Sequence, residues 1–387
     1  MATSLADLLS SFQLLISSFY SMTALTILLV LVLLLVVFGL LFRLQILTSI
    51  FSGTYVREIG MSNRINAMLM LVFMVVGGAA FFWSFSENFN KMNPPIASIH
   101  GHAMERMFWT TMTVIGVAFV ITQALLFIYA YKYQHKEGRR AYFFSHNNTI
   151  EVVWTIIPAI VMASLIFAGW KAWTRITGPA PKDSVVVELM GKQYNWLVRY
   201  PGRDMKLGVV NYRLIDASND FGFDLSDKAA LDDFTTTEIH VPKGHPVLIK
   251  IRSRDVLHAV YMPQFRVQMY AVPGMPTRFW FTPTMTTDEM RAHLGNPNFK
   301  YEVACNQVCG KSHFAMKATI VVDEPDDYQA WYAKQSPNSA NADMMASYKQ
   351  TSKNAGLGQG GSAGAKAAAI EEAGETPAVP LAAQTAM

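Results

Sequence analysis

Apolar positions fall into two patterns along the chain. The first half carries long runs with almost no charge: residues 22–42, 66–86, 109–131 and 152–173. Each is long enough to cross a bilayer as a helix. For the first run a signal peptide is the alternative, but that needs a basic n-region, and no Lys or Arg precedes the run. It therefore reads as a membrane span. The second half carries short alternating runs. Val185, Val187 and Leu189 alternate, and β-rich runs follow at 193–200, 236–241, 246–252, 276–282, 299–304 and 317–322. Pro, Gly, Asn and Asp separate them, which predicts a Greek-key β-sandwich.

Basic residues orient the spans. Arg43, Arg57 and Arg64 lie in the 43–65 loop, and Lys132, Lys136, Arg139 and Arg140 in the 132–150 loop. The 87–108 loop has only Lys91 and Arg106, balanced by Glu87 and Glu105. The positive-inside rule then puts both termini, and everything after about residue 174, on the periplasmic side of a bacterial inner (plasma) membrane.

Composition narrows the class. Of 387 residues, 51% are hydrophobic and 16% charged, which suits a protein in contact with membrane lipid. A formal charge of +4 is too small to suggest nucleic-acid binding. No Cys-x-x-Cys-His occurs, so a covalent haem c is excluded. Residues 202–235 read as an inserted surface loop rich in Asp. Asp216, Asp220, Asp224, Asp227, Asp232 and Asp233 there suggest steering of a basic partner, calcium binding, or plain solvation. From residue 336 onward Gly, Ala, Ser, Gln and Lys dominate, and a disordered tail is expected over 336–387.

The chemistry concentrates in Cys305-Asn306-Gln307-Val308-Cys309-Gly310-Lys311-Ser312-His313-Phe314-Ala315-Met316, which holds both cysteines of the chain. Thiolate, imidazole and thioether form a copper ligand set. Two thiolates in one loop can bridge two coppers, each then needing an imidazole. His313 is one; His258, in Asp255-Val256-Leu257-His258, is the best candidate for the other. A disulfide and a zinc site are the competing readings, and Met316 speaks against zinc.

This loop closely resembles the binuclear copper (CuA) loop of subunit II of haem-copper cytochrome c oxidases. The resemblance runs from about residue 105 to 333, covering a helix hairpin and the copper domain, and leaves residues 1–90 as two extra helices. It implies a transmembrane hairpin at 91–175 followed by an all-β cupredoxin domain at 176–335; the two extra spans, read from their apolar runs, bring the transmembrane helices to four. It also implies that Cys305 and Cys309 bridge the coppers, that His258 and His313 are terminal ligands, that Met316 is a weak thioether ligand, and that the Gln307 carbonyl completes the set. The family commonly has Glu where this chain has Gln307, and that carboxylate helps hold magnesium at the contact with subunit I. An amide is a weaker ligand for a hard cation, so the magnesium site is in doubt. In Gly191-Lys192-Gln193-Tyr194-Asn195-Trp196, the family's electron-accepting tryptophan position is taken by Tyr194, and Trp196 matches its second tryptophan; plain strand packing is the alternative. Glu151, in Thr149-Ile150-Glu151-Val152-Val153-Trp154, matches a glutamate that opens a proton path into subunit I. Its bland reading is an acid favoured by the helix dipole. Ala271-Val272-Pro273-Gly274-Met275 matches the turn after the His258 loop. His100 and His102 receive no role.

The resemblance thus implies the redox subunit of a cytochrome-c oxidase. It would accept electrons from a c-type cytochrome and pass them to haem in subunit I, where oxygen is reduced to water with proton pumping. Rival readings are a membrane-anchored copper carrier, a quinol oxidase subunit II, whose family lacks the copper ligands, and nitrous oxide reductase, which carries a propeller absent here.

Overall fold

The computed structural model describes residues 26, 29, 30, 32–52, 61–136 and 138–355. Four of its helices are long and apolar enough to cross a membrane: α1 (Val32–Phe51), α2 (Met61–Met92), α3 (Ile99–Lys132) and α4 (Asn148–Thr177). A helix satisfies its own backbone hydrogen bonds, which lipid cannot do. The side chains follow suit: Phe119 and Ile160 stand 55% and 62% exposed, as surface meant for lipid or a partner helix. The predicted 22–42 run begins outside the continuously described residues, and its helix continues to Phe51, carrying Arg43 within the helix rather than in a loop. The helical bonding does not stop where the apolar run stops. α4 starts at an N-cap, where the Asn147 side chain accepts the Ile150 N–H, and it tolerates Pro158 in its interior.

The chain splits into two compact units, one of residues 1–75 with 125–142 and one of 76–124 with 143–387. The second unit contains the β-sandwich. Its strands are β1 (Val185–Lys192), β2 (Asn195–Tyr200), β3 (Phe234–Thr236), β4 (Ile239–Pro242) and β5 (Val247–Ser253). They continue with β6 (His258–Met262), β7 (Val267–Ala271), β8 (Thr277–Phe281), β9 (Tyr301–Cys305) and β10 (Lys317–Asp323). One sheet has the order β3-β2-β1-β5-β8, the other β4-β10-β9-β6-β7. β1 pairs with β5 in parallel, Val187 opposite Ile249, and antiparallel with β2. The alternation seen at Val187 and Leu189 buries both completely, against Ile249, Ile251, Phe279 and Val303 of one core. This is the β-sandwich that the strand pattern predicted, of the cupredoxin type that the resemblance implied.

Two expectations are corrected. Residues 202–235 are no loose loop. They contain a 3-10 turn (Tyr212–Leu214), helix α5 (Lys228–Asp232) and a small core of Phe221, Phe223 and Leu225 against Met190. Fully buried Arg199 anchors this insertion, donating to Glu188, Asp233 and the Gly208 carbonyl and lying over the Phe223 ring. The expected tail is also ordered at its start. After α6 (Thr287–Leu294) and α7 (Pro325–Ala333), helix α8 (Ala342–Asn354) lies against the insertion and buries Met344 in its core. Asp216 accepts bonds from Ser347 (2.7 Å) and Thr351 (2.8 Å), and Asp224 from Tyr348 (2.6 Å). Partial burial raises the Asp216 carboxyl, but these hydroxyls and Ser218 outweigh it and hold it well below the usual range. Composition averaged over residues 336–387 concealed Met344 and Tyr348, which share one helix face at i, i+4. Residues 356–387 lie outside the described residues.

Candidate metal centre

Strand register assembles the site. Val260 of β6 lies opposite Cys305 at the end of β9. Side chains two apart share a strand face, so His258 and Cys305 project to the same side. The loop after Cys305 folds back through Cys305 N–H to the Met316 carbonyl (3.0 Å) and Asn306 N–H to the Ala259 carbonyl (3.0 Å), with a 3-10 turn at His313–Ala315.

The six residues singled out in the sequence converge. Cys305 and Cys309 are both free thiols with their sulfurs 3.9 Å apart. A disulfide needs ~2.05 Å, so the disulfide reading fails for this structure. His258 Nδ1 is 3.8 Å from Cys305 Sγ, and His313 Nδ1 is 3.6 Å from Cys309 Sγ. Met316 Sδ is 3.8 Å from Cys309 Sγ, and the Gln307 carbonyl oxygen 3.2 Å from Cys305 Sγ. Each thiol thus has its own imidazole. The ligand atoms of His258, Cys305 and Cys309 lie within 4.8 Å of one another, all three residues buried. Burial, and then the neighbouring Cys305, push the Cys309 thiol up, so a soft cation must displace a held proton. Two thiols, two imidazoles and a thioether suit copper better than zinc.

The surroundings hold these ligands in place. Asp255 Oδ1 lies 2.8 Å from His258 Nε2, leaving Nδ1 to face the sulfurs. The second Asp255 oxygen accepts the Gln193 N–H (2.7 Å), and hydrogen bonding keeps this carboxyl below its ordinary range despite burial. Gly191 of β1 lies directly under His258: a Cβ there would stand 2.7 Å from Cδ2 of the imidazole. Gln193 Nε2 donates to the Cys309 carbonyl. Sequence reasoning missed Asp255, Gly191 and Gln193 as supports. For Asp255 a local signal existed, since it stands three residues before His258.

The two aromatics separate. Trp196 is 2% exposed, with its ring 6.0 Å from that of His258. Tyr194 is half-buried, and its hydroxyl accepts the Lys311 N–H (3.1 Å) from the copper loop. Glu151 lies far along the chain in the first turn of α4, exposed, and accepts the Asn147 N–H (3.2 Å). The Asp220 carboxylate of the insertion is taken by Lys192 and Arg254. His100 is buried with its ring 4.4 Å from Trp280, away from the ligand cluster.

The family "Cytochrome C oxidase subunit II, transmembrane domain" matches residues 94–170, and "Cytochrome C oxidase subunit II, periplasmic domain" matches 185–324. The alternative cytochrome c oxidase subunit 2 of Bradyrhizobium diazoefficiens is 32% identical over 276 residues, 70% of this chain and 92% of that protein. Cytochrome c oxidase subunit 2 of Cereibacter sphaeroides is 27% identical over 56% of this chain and 71% of its own length. A solved periplasmic domain of subunit II of cytochrome oxidase from Bradyrhizobium japonicum is 23% identical, covering 40% of this chain and 94% of that one, with a TM-score of 0.27. With the matched helices, the cupredoxin-type sandwich and the copper-type ligand cluster, the chain belongs to the cytochrome c oxidase subunit II family.

Proposed function

We propose that the chain takes electrons singly from a c-type cytochrome into a two-copper centre and passes them to haem in subunit I, where oxygen is reduced to water with proton pumping. The observation that carries this is the pairing of each free thiol with its own imidazole, 3.8 and 3.6 Å away, across a 3.9 Å sulfur separation. A copper pair bridged by two thiolates stores one electron with little change in geometry. Cys305 and Cys309 would be the bridges, His258 and His313 the terminal ligands, and Met316 and the Gln307 carbonyl the weak ones. Asp255 and Trp196 keep the His258 ring fixed, which limits rearrangement. Tyr194 is partly exposed and bonded to the copper loop, which supports it as the side chain that meets the donor; Trp196 is buried behind the surface. Magnesium at the subunit I contact would have to rely on the Gln307 amide, a weak ligand for it. The β domain and both termini are assigned to the periplasmic side, with Glu151 at the cytoplasmic start of α4 supplying protons.

Purification of the full complex from native membranes tests the reading. The expected result is two coppers per chain, haem-bearing partner subunits and oxygen consumption with reduced cytochrome c. A single copper, or zinc, refutes the two-copper centre. Two coppers without haem partners would make the chain a copper carrier.

A further inference from the structure

The segment between α2 and α3 is stapled to the β-sandwich. Ala97 N–H donates to the Gln264 carbonyl (2.8 Å), Ile99 N–H to Thr282 (3.1 Å), and Thr284 N–H to Ala97 (2.9 Å). The Ser98 hydroxyl donates to the Phe265 carbonyl (2.8 Å) and accepts the Gly101 N–H, which starts α3. One side chain ties these strands of contact together. Arg266 Nε donates to Glu105 Oε2 (3.0 Å) in the second turn of α3. Its Nη1 donates to the Pro263 carbonyl, and its Nη2 to Asn93 Oδ1 (2.9 Å) and the Pro94 carbonyl (2.8 Å). Trp109 Nε1 holds the other Glu105 oxygen (2.7 Å). Both charged side chains are only 16% exposed.

Arg266 also sits where an arginine is least comfortable. Its φ of 55° and ψ of 41° are left-handed, a conformation suited to Gly. The guanidinium gains what the backbone gives up: four donations into the linker, α3 and the preceding turn. Its position matters because β6 runs from His258 at one end to Met262 at the other, immediately before the 3-10 turn that Arg266 closes. From His258 to Met262 that strand is a lever of about 13 Å. A tilt of about 5° at the Arg266 end would displace His258 by about 1.1 Å at the end of such a lever.

We infer that the Arg266–Glu105 clamp locks the β-sandwich onto the N-terminal half of α3 and so sets the position of the His258 and Cys305 end relative to that part of α3, making Arg266 a positioning residue for electron delivery to the partner subunit. The delivery part rests on the function proposed above; the clamp does not. Electron transfer between fixed centres slows steeply as their separation grows, so a shift of this size lowers the delivery rate.

The test uses the full-length chain in its complex, as Arg266→Gly and Glu105→Gln. Glycine keeps the left-handed backbone and removes only the guanidinium, and Glu105→Gln weakens the same contact without touching the turn. Hydrogen exchange at the Ala97, Ile99 and Thr284 amides should quicken about tenfold in Arg266→Gly as local opening becomes easier, and less in Glu105→Gln. Copper content and electron uptake from cytochrome c should stay at wild-type values, while delivery to haem slows several-fold. Unchanged amide exchange in both variants overturns the clamp. Quickened exchange with unchanged delivery, or with uptake slowed as much as delivery, overturns the positioning role. If the wild-type complex takes up no electrons from cytochrome c while exchange still quickens, the clamp stands and the proposed function falls.

Discussion

Gly191→Ala is the sharpest probe of how the fold supports the metal ligands. The new Cβ would stand 2.7 Å from His258 Cδ2, 3.0 Å from Cγ and 3.2 Å from Cβ. Ordinary carbon contact is ~3.5 Å, so about 0.8 Å must be found. The strand cannot supply it, because Gly191 is held between Trp196 on β2 and Ser253 on β5. The imidazole is fully buried and bonded to Asp255 on its far nitrogen. Metal ligation tolerates only about 0.2 Å of error, so a ring moved this far ligates badly. Overpacking should cost about 1–3 kcal/mol of stability, and copper affinity should fall about 10–100-fold, as when a ligand's supporting contacts are lost. The assay is copper per chain after competition with a graded chelator, with thermal unfolding of the same preparation. Wild-type copper retention together with a wild-type melting temperature would refute the argument that Gly191 is there to admit His258.

Tyr194→Ala should slow oxidation of cytochrome c in steady-state turnover while copper content holds; if only Trp196→Ala slows it, the half-buried tyrosine is the wrong aromatic. Glu151→Gln should lower oxygen turnover without changing copper content or its reduction rate, because α4 spans about 45 Å and separates this carboxylate from the β domain. Unaltered turnover would leave Glu151 as a helix-start residue that accepts the Asn147 N–H, the contact the structure shows.

What could be read along the chain was local. Residues 66–86, 109–131 and 152–173 announce α2, α3 and α4 because lipid demands a continuous apolar surface, and no partner from elsewhere is needed to see it. Cys305, Cys309, His313 and Met316 lie within one short loop, so their spacing already names a soft metal. The Val185, Val187 and Leu189 alternation placed β1 on the core. Strands β3, β6 and β7 went unseen: β3 is three residues long, β6 buries four of its five side chains and so shows no alternation, and the alternation of β7 was overlooked.

What only the tertiary structure decided was non-local. His258 reaches Cys305 across 47 residues through the β6–β9 register, which no spacing encodes. Exposure separated Tyr194 from Trp196, although both lie in one aromatic run. The insertion read as a surface loop and α8 as part of a disordered tail, yet together they bury Phe221, Phe223, Leu225 and Met344, and aspartates of the Asp-rich run are spent on hydroxyls, amides and cations. Two segments that cannot each bury enough apolar surface alone can do so against one another, and that pairing exists only once the chain has folded.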